Sequence, residues 1–279
     1  MSIGCGAFIE SPRKGCATIG AMDLFLQSVV LGIIEGATEF LPVSSTGHLI
    51  LVEGLLGVIG SDFIKTFTIV IQLGAILAVV VIYWLKFFDW PLLKKLAAAF
   101  IPTGIIGLAL YPLEHSFLLS SSLTVLLALF LGGVVLILFE RWHTREHAAL
   151  EVAGKGIEEM TYRDAALVGL AQSVAIIPGV SRSGATIVGG LALGFSRSAI
   201  VEFSFLLAVP TMIAASGLSL LKAGFAFSAG EWTALAIGTL VAFLVALAAI
   251  RWLLSFVRTH DFTPFGWYRI VLAAAFALW

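Results

Sequence analysis

Residues 35–48 (EGATEFLPVSSTGH) place two carboxylates, three consecutive hydroxyls and an imidazole within fourteen positions of a chain that is 60% hydrophobic. At bilayer depth an ionisable side chain costs at least ~2.5 kcal/mol on insertion scales, so it needs a partner, a water-filled cavity or a function. Several such groups beside a Ser-Ser-Thr run indicate an active site or a transport site rather than a set of structural hydrogen bonds.

The spacing of these residues predicts a helix, a break and a second helix. Glu35 and Glu39 are four positions apart, so their carboxylates share one helix face. Pro42 ends that helix, and a second apolar run starts at Leu49. Three hydroxyl side chains occupy the break: Ser44, Ser45 and Thr46. A new helix N-terminus after a break binds anions, which predicts a phosphate ligand, bridged to the glutamates by an oxygen-preferring divalent cation, Mg²⁺ or Ca²⁺.

Composition places the chain among helical membrane proteins. The mean hydropathy of the 279 residues is +1.07, and several apolar runs approach 20 residues. With 16 Lys and Arg against 17 Asp and Glu, there is no basic excess, so no nucleic-acid partner is expected. Residues 1–21 fit this pattern poorly and are interpreted as a disordered N-terminal extension, followed by a single membrane domain over residues 22–279.

The apolar segments divide into two short pairs and six longer runs. Each half of the short pairs is below the ~20 residues of a crossing helix, so each pair predicts a re-entrant helix–break–helix hairpin. The pairs are 24–41 with 49–59, and 165–177 with 185–194. The six longer runs predict transmembrane helices over 63–84, 96–111, 121–140, 198–221, 232–254 and 264–279.

The two hairpins align without gaps at an offset of 137 residues, the separation of Gly32 and Gly169. Glu35 then aligns with Gln172. Three small or hydroxyl residues of the first break align with identical or similar residues of the second: Ser44 with Ser181, Thr46 with Ser183, and Gly47 with Gly184. Each half would carry one hairpin and three spans, and an odd number of crossings inverts the second half. This predicts repeat 1 over 22–140, a cytoplasmic loop over 141–163 and repeat 2 over 164–279.

Basic residues are distributed unequally between the two sides of this arrangement. Eleven Lys and Arg fall in the loops 85–95, 141–163, 195–200 and 251–269, and two fall in the loops 58–65, 112–120 and 222–232. The positive-inside rule assigns the richer set to the cytoplasm. The first hairpin is then expected to enter from outside and the second from the cytoplasm.

The second break (PGVSRSGAT, residues 178–186) contains an arginine where the first contains only hydroxyls. Arg182 lies between Ser181 and Ser183, and Thr186 opens the helix that follows. A guanidinium beside hydroxyls and a helix N-terminus suits bidentate binding of phosphate oxygens. The structural alternative is that Arg182 only neutralises a glutamate of the first hairpin. Both interpretations hold if Arg182 pairs with a glutamate when the site is empty and with phosphate when substrate is bound.

The two motifs, EGxTEFLPVSSTGH and PGxSRSGAT, resemble those of the undecaprenyl-diphosphatase (bacitracin-resistance) family, and the resemblance extends over residues 22–279. It implies a multi-pass enzyme of the bacterial inner membrane with an inverted repeat and a divalent cation. Such an enzyme converts the C55 lipid diphosphate to the monophosphate on the outer side, which recycles the carrier for peptidoglycan synthesis and confers bacitracin resistance.

Carried over by position, the resemblance implies five catalytic residues: Glu35, Glu39, Ser45, His48 and Arg182. The two glutamates also serve as the metal ligands. Substrate phosphate would be bound by the surrounding hydroxyls of Ser44, Thr46, Ser181, Ser183 and Thr186. Three nucleophiles stay open: Ser45 with His48 or Glu39 as base, His48 itself, or a metal-bound water. Ser45 is the favoured one.

A transporter or flippase of a phosphorylated lipid is the rival interpretation, because inverted repeats with broken helices also build transporters. The clustered carboxylates, serine and histidine beside an arginine exceed what binding an anion requires, which favours the enzyme. The expected partners are the lipid substrate and membrane lipids, and the sequence leaves open whether copies form a homo-oligomer.

The orientation can be tested with single cysteines at positions 115 and 225, in a background without Cys5 and Cys16. Both positions are expected to react with a membrane-impermeant reagent added from outside, because both loops lack the basic excess of the cytoplasmic side. Labelling of both only from the cytoplasm would reverse the orientation.

Overall fold

The computed structural model describes residues 23–58, 62–113, 122–147, 154–223 and 227–278. Over these residues the chain is helical, with one isolated β-bridge between Lys155 and Phe195. The α-helices are α1 Leu24–Thr38, α2 Ser45–Leu56, α3 Asp62–Ile82, α4 Trp90–Leu113, α5 Ser122–His147, α6 Tyr162–Gln172, α7 Arg182–Ala192, α8 Arg197–Ala223, α9 Ala229–Phe256 and α10 Thr263–Leu278. The predicted N-terminal extension and the labelling positions 115 and 225 lie outside the described residues.

Five of these helices are long and apolar enough to cross a membrane: α3, α4, α5, α8 and α9. The prediction of an all-helical multi-pass membrane protein is therefore confirmed. The sixth predicted span, α10, has 16 residues, or roughly 24 Å at 1.5 Å per residue, which is short of a ~30 Å hydrocarbon core. The count of six spans with two opposed re-entrant hairpins stays a prediction.

Several helix ends lie beyond the apolar runs that predicted them. Helix α4 begins at Trp90, so Lys94 and Lys95 belong to a helix rather than to a basic loop. The Lys95 ammonium donates to the carbonyls of Ile157 and Glu158, both at 2.9 Å. Helix α5 likewise continues to His147, seven residues past its predicted end. The apolar runs end before these helices do, because the helices continue through charged residues that hydropathy does not count.

Both hairpin breaks end in the same N-cap. Ser44 precedes α2 and its Oγ accepts from the Gly47 N–H at 3.4 Å, while Ser181 precedes α7 and its Oγ accepts from the Gly184 N–H at 3.1 Å. These pairs align at the offset of 137. The caps place Ser45 as the first residue of α2, whereas the apolar run predicted a start at Leu49. The first turn of α2 is polar, so an apolar run marks the helix only from its second turn onward.

Each hairpin packs against spans of the other half of the chain. Helix α1 packs on α9 and α6 packs on α4, while α3 meets α8 and α5 meets α10. Two aligned glycines, Gly32 and Gly169, allow these close hairpin contacts. A Cβ added at Gly32 would lie 2.7 Å from the carbonyl oxygen of Gly238, and a Cβ added at Gly169 would lie 1.9 Å from the carbonyl oxygen of Ala99. This exchanged packing supports two related halves, whose limits and opposite orientation stay predictions.

Arg269 is not in a cytoplasmic loop, as the charge count had assumed, but inside the helical bundle on α10. Its side chain is 3% exposed. The guanidinium donates to four backbone carbonyls: Ala128 at 3.0 Å, Leu129 at 3.3 Å, Pro42 at 3.3 Å and Gly179 at 2.9 Å. Pro42 lies in the first break and Gly179 in the second, so one buried cation joins both breaks. Without Arg269 the count is ten against two, and the asymmetry persists.

Two glycines make room for this arrangement. A Cβ at Gly132 on α5 would lie 2.1 Å from Nη2 of Arg269. Gly179 has a φ of +94°, and a Cβ there would also lie 2.7 Å from the Val125 carbonyl oxygen. Gly132 and Arg269 are themselves separated by the offset of 137, so equivalent positions of α5 and α10 carry the smallest residue and one of the largest.

A buried ion pair fastens the bundle at another point. Arg197 Nη2 of α8 donates to Glu140 Oε2 of α5 at 2.6 Å, and the Phe262 N–H before α10 donates to Glu140 Oε1 at 3.0 Å. Glu140 is 1% exposed. The pair fixes α5, α8 and the start of α10 relative to one another, and so supports the helix that carries Arg269.

We expect Arg269→Met to destabilise the protein by at least ~2–4 kcal/mol, because buried carbonyls of both breaks lose their donor at ~1–3 kcal/mol each. Thermal unfolding of the purified protein in detergent measures the effect. Arg251→Met is the matched control, since Arg251 on α9 is exposed. Equal unfolding temperatures for the two variants would contradict the role assigned to Arg269.

Candidate active site

Three of the predicted catalytic residues meet at the two hairpin breaks. Ser45 is the first residue of α2 and Arg182 is the first residue of α7, so the N-termini of two aligned helices face one site. Glu39 connects them: its Oε2 accepts a short hydrogen bond from Ser45 Oγ, and its Oε1 accepts from Arg182 Nη2 at 2.7 Å. A hydroxyl and a cation therefore both contact the same carboxylate.

One nitrogen of the Arg182 guanidinium has no hydrogen-bond partner among the described residues. Nη1 donates to the Ser204 carbonyl of α8 at 3.0 Å, and the Phe40 ring centroid lies 5.9 Å from Cζ. Nε is buried and has no hydrogen-bond partner among the described residues. The fork is thus held in place on one side and leaves Nε free to donate to a phosphate oxygen.

Glu35 is a buried carboxylate that interacts with the Glu39 carboxyl and with the charge of Arg182. It is 0% exposed, and neither of its oxygens finds a hydrogen-bond donor within the described parts of the chain. The Glu39 N–H donates to the Glu35 carbonyl at 3.0 Å, which preserves the four-residue helical relation of the two side chains. Arg182 neutralises only one of two adjacent carboxylates, so Glu35 requires a proton or a cation.

These residues fit a divalent cation in donor type. The free oxygens of Glu35 are the hard ligands that Mg²⁺ and Ca²⁺ prefer. The described residues contain no group of three or more His, Cys, Asp or Glu that could hold a metal ion. A cation bound here would therefore draw its other ligands from water and from the phosphate oxygens of a substrate, as Mg²⁺ commonly does.

His48 is held away from the role of base to Ser45. Its Nδ1 lies 2.8 Å from the Ser44 carbonyl, which can only accept, so Nδ1 carries the proton. Its Nε2 lies 2.7 Å from the Tyr268 hydroxyl and accepts from it. The Nε2 lone pair is thus occupied by Tyr268, and Ser45 donates to Glu39 rather than to His48.

Ser44 adopts an unusual backbone conformation at the centre of the first break. Its φ of 70° is positive, the single such value at a non-glycine among the described residues. A conformation of this kind costs about 1–3 kcal/mol and persists where the surroundings enforce it. It directs the Ser44 carbonyl to both the N–H of His48, at 3.2 Å, and the imidazole.

Two of the predicted phosphate-binding hydroxyls join the two hairpins by hydrogen bonds. Ser183 Oγ donates to the Leu41 carbonyl of the first break at 2.7 Å. Ser181 Oγ lies 2.9 Å from Ser183 Oγ and 3.4 Å from the same carbonyl. The second break is thereby bonded to the first.

The other predicted hydroxyls differ in their surroundings. Ser44 caps α2, as described above, and Thr46 lies half-buried in the first turn of that helix. Thr186 is 0% exposed, and its hydroxyl faces the Gln172 side chain and the Arg182 carbonyl. The role of all five hydroxyls in binding phosphate stays a prediction.

The sequence interpretation missed several residues that the structure places around the site. Arg269 carried a usable signal, since a charge within the apolar run 264–279 meets the rule for intramembrane ionisable groups. Gln172 was aligned with Glu35 by the repeat but was given no role. Tyr268 carried no signal, because its contact with His48 joins distant helices. Ser204 contributes a backbone carbonyl, which no side-chain pattern reveals.

Comparison with known proteins identifies the family of this chain. The family model described as bacitracin resistance protein BacA matches residues 28–275. The chain is 48% identical over 252 residues to an undecaprenyl-diphosphatase of Aquifex aeolicus, covering 90% of this chain and 96% of the relative. It is 49% identical over 254 residues to an undecaprenyl-diphosphatase of Sulfurihydrogenibium sp., covering 91% and 98% respectively. The chain belongs to the bacitracin-resistance protein family.

Proposed function

We propose that this protein is a membrane phosphatase that hydrolyses undecaprenyl diphosphate to undecaprenyl phosphate and inorganic phosphate. The observation that carries the proposal is the contact of Ser45 and Arg182 with the two oxygens of Glu39, at the meeting point of two helix N-termini. A nucleophile, a base and a fixed cation are the groups that phosphoanhydride cleavage requires. The activity for which the relatives are named is of this class.

In the proposed reaction Ser45 Oγ attacks the terminal phosphorus. Glu39 takes the hydroxyl proton as the Oγ–P bond forms, and the bond from that phosphorus to the bridging oxygen breaks, which releases undecaprenyl phosphate. Water then hydrolyses the phosphoserine and frees inorganic phosphate. The position of Ser45 in the first turn of α2 favours negative charge on Oγ, because the helix N-terminus is the positive end of the dipole.

Arg182 and Glu39 form an ion pair that substrate would rearrange. A phosphate oxygen competes with Glu39 for the guanidinium, and a planar fork binds phosphate through two donors. Once Arg182 turns toward phosphate, Glu39 loses its counter-ion and becomes a stronger base for Ser45. The ion pair at 2.7 Å is then the resting form of the site.

A divalent cation, Mg²⁺ or Ca²⁺, forms part of the proposal, with Glu35 as its protein ligand because the oxygens of Glu35 are unengaged. Bound there, it would neutralise charge on the diphosphate during cleavage. Glu39 would become a second ligand only after release from Ser45 and Arg182.

The proposed location is the bacterial inner membrane, with the active site reached from the outer side. The first hairpin carries the glutamates and Ser45, and the charge asymmetry places its entry on the side poor in Lys and Arg. The diphosphate headgroup would be processed there while the C55 tail stays in lipid between the helices. The product re-enters the pool of carrier for peptidoglycan synthesis, which accounts for bacitracin resistance.

Release of phosphate by purified protein tests the proposal against transport. We expect wild-type protein in detergent to release inorganic phosphate from undecaprenyl diphosphate, and Glu39→Gln, which keeps the shape but loses the base, to release almost none. Detergent removes the membrane across which a transporter would act. Folded wild-type protein that binds the lipid but releases no phosphate would favour the flippase.

Ser45→Ala separates the possible nucleophiles. If Ser45 attacks phosphorus, its loss should lower kcat by several orders of magnitude, as removal of an attacking group does elsewhere. A serine that only donates a hydrogen bond to phosphate would cost ~1.5–3 kcal/mol, about ten- to a hundredfold in rate. Turnover of the purified variant is the measurement. Retention of about a tenth of the wild-type rate would exclude attack by serine.

A further inference from the structure

Gln172, the last residue of α6, bonds three other helices with one side chain. It is 1% exposed. Its Nε2 donates to Thr103 Oγ1 of α4 at 3.2 Å and to Thr211 Oγ1 of α8 at 3.3 Å. Its Oε1 lies 3.2 Å from Thr186 Oγ1 of α7, whose single proton is shared between this oxygen and the Arg182 carbonyl. The amide nitrogen therefore has two acceptors in a buried site.

The protons of this network are already assigned by their other partners. The Thr103 hydroxyl donates to the Gly169 carbonyl at 2.7 Å, and the Thr211 hydroxyl donates to the Leu207 carbonyl at 2.7 Å. Each hydroxyl has one proton, so both oxygens turn lone pairs toward residue 172. These two oxygens call for a side chain with two donors, which an amide supplies and a carboxylate does not.

The equivalent position in the first half of the chain carries an acid instead of an amide. Gln172 aligns with Glu35, whose oxygens have no hydrogen-bond partner among the described residues. One of two equivalent positions thus leaves an acid free for the reaction, and the other commits an amide to holding helices together. The scaffold therefore carries one reactive site rather than two.

The Gln172 network reaches Arg182 by two routes. Thr186 Oγ1 lies 2.9 Å from the Arg182 carbonyl, one turn earlier in α7. Thr211 belongs to α8, which also supplies the Ser204 carbonyl that accepts from Arg182 Nη1 at 3.0 Å. We propose that Gln172 is a positioning residue for the phosphatase reaction, fixing α7 and α8 so that the Arg182 fork meets the phosphate; this rests on the function proposed above.

A double-mutant cycle between positions 172 and 182 tests this role. Gln172→Met is expected to lower kcat/KM for undecaprenyl diphosphate about tenfold or more, the scale of one or two buried hydrogen bonds. In an Arg182→Lys background the same change should cost less than about twofold, since the geometry it protects is already lost. An equal factor in both backgrounds would show a general structural effect and overturn the proposal.

Two further variants sharpen the result. Gln172→Glu keeps the size but removes both donors, so it should be impaired at least as much as Gln172→Met, and a fully active Gln172→Glu would overturn the proposal. Ser28→Ala is the control, because Ser28 is also buried in a hairpin helix and bonds only to the Leu24 carbonyl of its own helix. Its activity should stay within about twofold of wild type.

A measurement without turnover separates this inference from the proposed function. Pyrophosphate should raise the unfolding temperature of wild-type protein through Arg182. The rise should be smaller in Gln172→Met and absent in Arg182→Ala, even if the lipid proves not to be hydrolysed. An equal rise in Gln172→Met and wild type would refute the positioning role, whereas inactivity of wild type alone would refute only the function.

Discussion

A helix broken at membrane depth frees backbone groups that lipid cannot bond, and this constraint governs the structure. The freed N–H groups lie at the starts of α2 and α7, where serine side chains cap them. The freed carbonyls are bonded from the other side, those of Pro42 and Gly179 by Arg269 and that of Leu41 by Ser183. The same constraint therefore accounts for the bonds that hold the two breaks together and for the helix N-termini at the candidate site.

The two halves solve this problem with the same scaffold and different residues. Aligned caps and aligned glycines build equivalent hairpins, but the residue that begins the helix is Ser45 in one and Arg182 in the other. A hydroxyl and a cation thus reach Glu39 from equivalent positions. The Glu35–Gln172 pair differs in the same way. Divergence at a few aligned positions turned a symmetric frame into an asymmetric site.

The sequence was sufficient for the features that depend on residue type and local spacing. Glu35, Glu39, Ser45 and Arg182 stood out because charges are rare in apolar runs, and the hairpins followed from short halves. Helix starts were placed late because hydropathy does not record capping. The Tyr268 bond to His48 joins residues 220 positions apart, and no local pattern predicts such a contact. Arg269 was misplaced because a charge count ignores burial.

The bonds between the two breaks also affect how the hairpin tips can move. Because Ser183 and Arg269 link the hairpin tips, the tips form one rigid unit rather than two independent flaps. Glu35 at 0% exposure lies sealed within that unit. A carboxylate enclosed in this way is reached only when the surrounding helices move, a collective motion slower than side-chain rotation.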